Sequence, residues 1–238
     1  MVGRLSAPPF GAYRRLEVDW RLEEVKMVVP VEPSKIIAIG RNYPEHAREH
    51  HVDIPEVPML FLKPPSSLIY HEETIILPPQ TQQVEHEVEL AVVMARRGRW
   101  IPIQKVNDFI LGYTIANDVT ARDLQRRDGQ WTRAKGFDSF CPVGPWIVTE
   151  LDPSDLLLTC RVNGEIKQMS STREMVFSIN QLIVYISSIM TLEAGDIILT
   201  GTPAGVGELK PGDVVECEIE GIGTLRNKVA IEQSELNT

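Results

Sequence analysis

The sequence predicts an α+β fold that is rich in strands, with a few helices and a short N-terminal appendage. Three observations predict it. Short apolar runs such as KIIAIG and DIILT recur between prolines and glycines, as strands do. LLLTCRVNGEIKQ sets Asn163-Gly164 between two strand-like runs, a pair suited to the positive φ angles of a tight hairpin turn. The clearest helical spacing is in SINQLIVYISSIMTL, which aligns Ile179, Leu182, Ile183, Ile186, Ile189 and Met190 on one face, as for a helix packed on a sheet.

Taken in order, residues 1–34 are the appendage: strand-like pieces at 15–20 and 26–29, then the proline-punctuated linker VVPVEPSK. Residues 35–238 are the main domain. KIIAIG is a strand stopped by Gly40, and RNYPEHAREHHVD is a short polar helix or ordered loop with its charges outward. EVPMLFLKPPSSLIY is extended and broken by Pro64 and Pro65, a strand follows at 75–77, and VEHEVELAVV reads as one strand over 84–93. DFILGYTIANDVTARDLQ passes from a short helix through a strand into a polar helical segment. WTRAKGFDSFCPVGPW has the composition of a shaped loop. After the long helix, LEAGD turns into the strand DIILT, the Gly-rich GTPAGVG and a closing strand pair.

At 238 residues and 43% hydrophobic, the chain buries one substantial core. Its formal charge of -9 argues against nucleic acid or an anionic membrane as partner. No run reaches the roughly 18 apolar residues of a membrane span, and the first residues lack the apolar core of a signal peptide, which together predict a cytoplasmic protein. Cys141, Cys160 and Cys217 are odd in number, far apart and without CxxC spacing, so buried free thiols are expected.

The chemistry concentrates in VEHEVELAVV. In a strand, Glu85, Glu87 and Glu89 share the face later taken by Ala91 and Val93, while His86 points the other way. Carboxylates about 7 Å apart repel at the edge of a core, so something positive belongs beside them. Asp118 ends another apolar strand, GYTIANDVT, with Asn117 placed to brace it. Glu87, Glu89 and Asp118 offer three oxygen ligands and no sulfur or nitrogen, which suits a hard cation, Mg²⁺ or Mn²⁺, with Ca²⁺ as a further candidate. Glu85 reads as a rim residue. Lys135 is placed to neutralise a substrate carboxylate or a developing enolate. The turn TGTPAGVG lacks a phosphate-loop ending, and its amides with the Thr202 hydroxyl suit a carboxylate instead. All five histidines lie between His46 and His86; in HAREHH, His46 and Glu49 share a helical face, so the carboxylate can raise the basicity of the imidazole.

On IAIGRNYPEHAREH, PMLFLKP, HEVELAVVM, GYTIANDVTARDLQ, WTRAKGFDSFCPVGPW, LEAGDIILTGTPAGVG and GDVVECEIEGIGTLRN, the chain resembles the fumarylacetoacetate hydrolase family, in particular its acylpyruvate hydrolase and oxaloacetate decarboxylase branch. The resemblance implies a mixed β-sandwich roll, a homodimer, and a Mg²⁺ or Mn²⁺ site on Glu87, Glu89 and Asp118. It further implies an active-site lysine at Lys135, a lid dyad at His46 and Glu49, and substrate contacts from Arg41, Lys63, Gln125 and Thr202. The appendage is shorter than the extra domain of many bacterial relatives. The implied substrate is a small 2-oxo acid: hydrolytic C–C cleavage of an acylpyruvate leads, followed by oxaloacetate decarboxylation or keto-enol exchange and by isomerisation of an unsaturated dioate. A non-catalytic domain stapled by its cation is the alternative of another class.

Overall fold

The structure is a computed structural model and describes residues 2–232; residues 233–238, the tail of the main domain, lie outside the described residues. Two mixed sheets carry the core. In the larger, the strands run in the order Met59–Lys63, Ile36–Gly40, Ile197–Leu199, Val88–Met94, Ile110–Asn117, Cys141–Val148 and Leu68–Ile69. The smaller runs Glu165–Ser171, Leu157–Val162, Val214–Ile219, Gly223–Ile231 and Thr74–Leu77. Most pairs are antiparallel, with parallel steps between Ile36–Gly40 and Ile197–Leu199, between Leu68–Ile69 and Cys141–Val148, and between Thr74–Leu77 and Gly223–Ile231. This is the β-rich architecture with few helices that the sequence predicts.

Strand alternation explains how the larger sheet is buried on both faces. Ile37, Ile39, Leu90 and Val92 point into the main core, where they meet Leu158, Cys160, Val215 and Cys217 of the smaller sheet. Ile36, Ala38, Ala91 and Val93 point to a second apolar cluster, which Val31 joins and against which Phe10 packs. The appendage therefore covers a face of the sheet. Within it, Val2–Leu5 and Arg15–Trp20 pair, but residues 26–29 stay outside every sheet, just ahead of Pro30, which has no N–H to give a ladder.

Four α-helices matter below: α1 (Pro44–Glu49), α2 (Arg122–Asp128), α3 (Thr132–Lys135) and α4 (Ile179–Ile189). α4 begins with the Ser178–Gln181 capping box and buries Leu182, Ile183 and Ile186 in the main core. The hairpin turn has Asn163 at φ 52° and Gly164 at φ 81°, as its sequence requires. The three cysteines are free and buried. Among the described residues, no helix is long and apolar enough to cross a membrane.

Two further expectations need correction. VEHEVELAVV is two strands, Val84–His86 and Val88–Met94, in different sheets, with the break at Glu87. The cause is the Asn117 side chain, whose Oδ1 accepts the Glu87 N–H at 2.9 Å, so Asn117 braces that backbone. The expected loop around Lys135 is the single helical turn α3, closed by the Lys135 N–H to Trp131 O bond of 3.0 Å and ended at Gly136.

Candidate metal and acid-binding site

The break at Glu87 turns the strand end toward α2 and α3, and Glu87, Glu89 and Asp118 converge there, all buried. One oxygen of each carboxylate lies within 4.8 Å of the others. The positive groups demanded by that crowding are present. Lys135 donates to Glu87 Oε2 at 2.9 Å and to Asp118 Oδ2 at 2.5 Å. Lys63 donates to Asp118 Oδ1 at 2.7 Å and to the Val119 carbonyl. Arg122 reaches Glu85 at 2.6 Å and also bonds Glu87 and Gln125. Four acids thus face three cations, which leaves one acid over.

That acid is Glu89. It makes no salt bridge among the described residues, and its Oε2 accepts only the Gly201 N–H, at 2.6 Å. Burial, then the charges of Asp118 and Glu87, push its carboxyl well above the usual range. Burial would raise Glu87 too, but Lys135 and Arg122 overcome it and hold Glu87 well below that range. Burial disfavours the Lys135 ammonium, yet Asp118 and Glu87 outweigh it and keep the lysine charged. A divalent cation held beside Glu89 would supply the missing positive charge, so the donor set fits a hard metal ion.

The Gly-rich turn faces this cluster. Gly201, at φ 101° and with its Cα beside Asn42, puts its N–H on Glu89; a Cβ there would lie 2.7 Å from Asn42 Cβ. Thr202 Oγ1 donates to the Val88 carbonyl at 2.9 Å and accepts from Gln168 Nε2 at 2.8 Å. Gln168 is fully buried and also bonds Pro203 O, the Val88 N–H and His86 Nδ1.

α1 closes the site from above. It is not the outward-facing polar helix of the sequence reading: His46 and Ala47 are buried, because Asn42 anchors the preceding turn through Phe177 and the Thr200 carbonyl. His46 Nδ1 lies 3.6 Å from Glu49 Oε2, just beyond hydrogen-bond reach. Glu49 instead accepts the Gly205 N–H, tying α1 to the Gly-rich turn. Burial alone would raise the Glu49 carboxyl; His46 and the Gly205 N–H hold it below its ordinary value.

Between α1 and the carboxylates is a cavity of about 200 Å³ lined by Arg41, His46, Glu87, Glu89, Asp118, Arg122, Gln125, Arg126, Lys135 and Thr202, among others. Eight of the ten residues singled out from the sequence line this cavity; Glu49 and Lys63 do not, and Glu49 reaches it only through His46. Lys63 lies beneath Asp118, so its contact is with that carboxylate. Glu85 is a buried partner of Arg122, where a solvated rim residue was expected. Arg122 and Gln168 were missed, since an arginine in a polar helix and a glutamine in a hairpin strand carry no local signal of burial.

Residues 35–230 match the family described as fumarylacetoacetate (FAA) hydrolase, C-terminal. The chain is 47% identical over 219 residues to a mitochondrial oxaloacetate tautomerase of Bos taurus, a match spanning 87% of this chain and 70% of that protein. Among solved structures, the 5-carboxymethyl-2-hydroxymuconate delta-isomerase of Mycobacterium smegmatis superposes with a TM-score of 0.90 at 47% identity, covering 97% of this chain and 90% of that one. The 2-hydroxyhepta-2,4-diene-1,7-dioate isomerase of Mycobacterium marinum gives 0.91 at 44% identity, with 98% and 88% covered.

Proposed function

The chain belongs to the fumarylacetoacetate hydrolase family, and from that premise we propose that it is a divalent-metal-dependent enzyme acting on a small 2-oxo dicarboxylate, exchanging its keto and enol forms. Oxaloacetate is the substrate we assign. Arg41 carries the choice of a dicarboxylate: it lines the cavity and has no hydrogen-bond or ion-pair partner among the described residues. A second carboxylate, remote from the Glu87, Glu89 and Asp118 cluster, is the natural partner for it.

A Mg²⁺ or Mn²⁺ ion held by Glu87, Glu89 and Asp118 would polarise the 2-oxo and neighbouring carboxylate oxygens as a Lewis acid. The Lys135 ammonium adds fixed positive charge where the enolate oxygen develops. Thr202, its hydroxyl held by Val88 and Gln168, shapes the wall beside the near carboxylate, Gln125 and Arg122 flank the chain of the substrate, and Arg41 receives the far carboxylate. With Nδ1 of His46 turned to Glu49, Nε2 is the nitrogen that takes the proton from C3 and returns it to oxygen. α1, held down by Glu49, keeps bulk water from the exchanging proton. The homodimer belongs to this reading through the family resemblance.

Hydrolysis of an acylpyruvate is a second reading, favoured by the same His46 and Glu49, which suit activation of a water. An ultraviolet-monitored panel of oxaloacetate, acylpyruvates and unsaturated dioates, each with Mg²⁺ and Mn²⁺, separates the readings. Acceleration of oxaloacetate keto-enol exchange that depends on the metal is the expected result. Turnover of acylpyruvates alone would replace it by the hydrolytic reading.

A further inference from the structure

The lid carries a second set of ligand-type donors, separate from the three carboxylates below it. His46, Glu49 and His50 each present one donor atom, and the three atoms lie within 4.8 Å of one another. His46 and His50 are four residues apart on one turn, so their rings meet edge to face at 4.6 Å between centroids. Each histidine also carries an unpaired nitrogen: Nδ1 of His46 and Nε2 of His50 are buried without a hydrogen-bond partner, and His46 as a whole is only 8% exposed. A buried polar atom left in that condition costs roughly 1–3 kcal/mol, a penalty that a ligand removes.

The geometry is close to that of a coordinated ion. Metal–donor bonds of about 2.1 Å in a tetrahedral site put neighbouring donors about 3.4 Å apart, and His46 Nδ1 to Glu49 Oε2 is already 3.6 Å. Glu49 is partly exposed, so its carboxylate can turn. Two imidazoles and one carboxylate are a donor set for a borderline transition ion, whereas three carboxylates select a hard one.

We propose that His46, Glu49 and His50 form a second cation site, for a divalent transition ion such as Zn²⁺, and that a filled site occupies the histidine assigned above as the base. The inhibitory consequence rests on that assignment; the site itself does not. One chain would then take two cations of different chemistry, a hard ion for turnover and a softer one that arrests it.

The test is calorimetric titration of the Mg²⁺-saturated protein with Zn²⁺, with Co²⁺ absorption as a geometric readout. One Zn²⁺ per chain and four-coordinate Co²⁺ bands are expected. His50→Ala and the closer match His50→Gln, each checked for native circular dichroism, should weaken Zn²⁺ at least about tenfold, while Asp118→Asn should retain it. Zn²⁺ affinity unchanged in both His50 variants, or lost in Asp118→Asn, overturns the proposal. For inhibition, each protein is referred to its own zinc-free rate, and the half-inhibiting Zn²⁺ concentration should rise by the same factor in His50→Gln. A filled site that leaves the rate intact keeps the site and removes His46 as the base, so the two failures are distinct.

Discussion

The backbone amide of Gly205 donates to both carboxylate oxygens of Glu49, at 3.1 and 3.2 Å. The glycine is obligatory there, since at φ 96° a Cβ would lie 2.0 Å from the Lys167 carbonyl oxygen. The lid helix is thus clasped to the Gly-rich turn by a charge that also lies 3.6 Å from His46 Nδ1.

Glu49→Gln should therefore loosen the lid more than it harms the fold. A charge-assisted hydrogen bond contributes about 1.5–3 kcal/mol when buried, and for this partly exposed carboxylate about 1 kcal/mol is expected in urea unfolding. The turnover rate should fall by at least about tenfold. Because the carboxyl is held below its ordinary value, this contribution is present above the ordinary carboxylate range and is lost as pH falls through the depressed value. Wild type and variant should converge in stability in acid.

Arg41 sits at φ 58°, a conformation costing a side-chain-bearing residue roughly 1 kcal/mol. Arg41→Gly should then stabilise the chain slightly, whereas Arg41→Ala should not. Both should raise the KM for oxaloacetate about tenfold or more and leave that for a neutral-tailed acylpyruvate unchanged. Equal losses on both substrates would remove Arg41 from recognition of the far carboxylate.

Glu89 is the acid without a cationic partner, and its carboxyl is raised. In the metal-free protein the folded state then holds a proton that the unfolded state releases, so stability falls as pH rises from the ordinary carboxylate range through the raised value. Glu89→Gln should remove that slope and abolish turnover. Mg²⁺ at a hundredfold excess over its Kd should stabilise the wild type by about 2.7 kcal/mol and leave Glu89→Gln nearly unmoved in thermal unfolding.

Gln168 joins the hairpin of the smaller sheet to Val88, Thr202, Pro203 and His86. Truncation strands several buried polar groups at once. Gln168→Ala should cost at least about 3 kcal/mol in chemical unfolding, and the surviving folded fraction should have a lowered kcat because Thr202 loses its orientation. A neutral result would mean that Thr202 is held by its bond to Val88 alone.

What could be read along the chain was periodicity. The apolar exit after Glu89 and the Asn163-Gly164 turn depend on residues within a few positions of one another and stand in the structure as predicted; on the face of α4, Ile179, Leu182, Ile183 and Ile186 are buried as expected, whereas Ile189, in the last turn, is exposed. What escaped depends on partners far apart in sequence. Asn117 breaks the strand at Glu87 from 30 residues away, and Gln168 reaches Val88 across 80. Arg122 looks like any basic residue on a short polar helix until Glu85 and Glu87 are brought to it. Lys63 is put beside the substrate by the family resemblance alone; which side of Asp118 it takes depends on how its strand pairs with Ile36–Gly40.

The N-terminal segment has a practical bearing for anyone who would shorten this protein to its enzymatic part. A chain begun at Lys35 would carry every residue of the carboxylate cluster and of the lid, yet it would lack Phe10 and Val31. Ile36, Ala38, Ala91 and Val93 would then be open to water as a contiguous greasy strip. Such a trimmed chain should bind an apolar fluorescent dye and precipitate at concentrations where the whole chain stays clear, so economy at the front end would be repaid in aggregation rather than in a smaller enzyme.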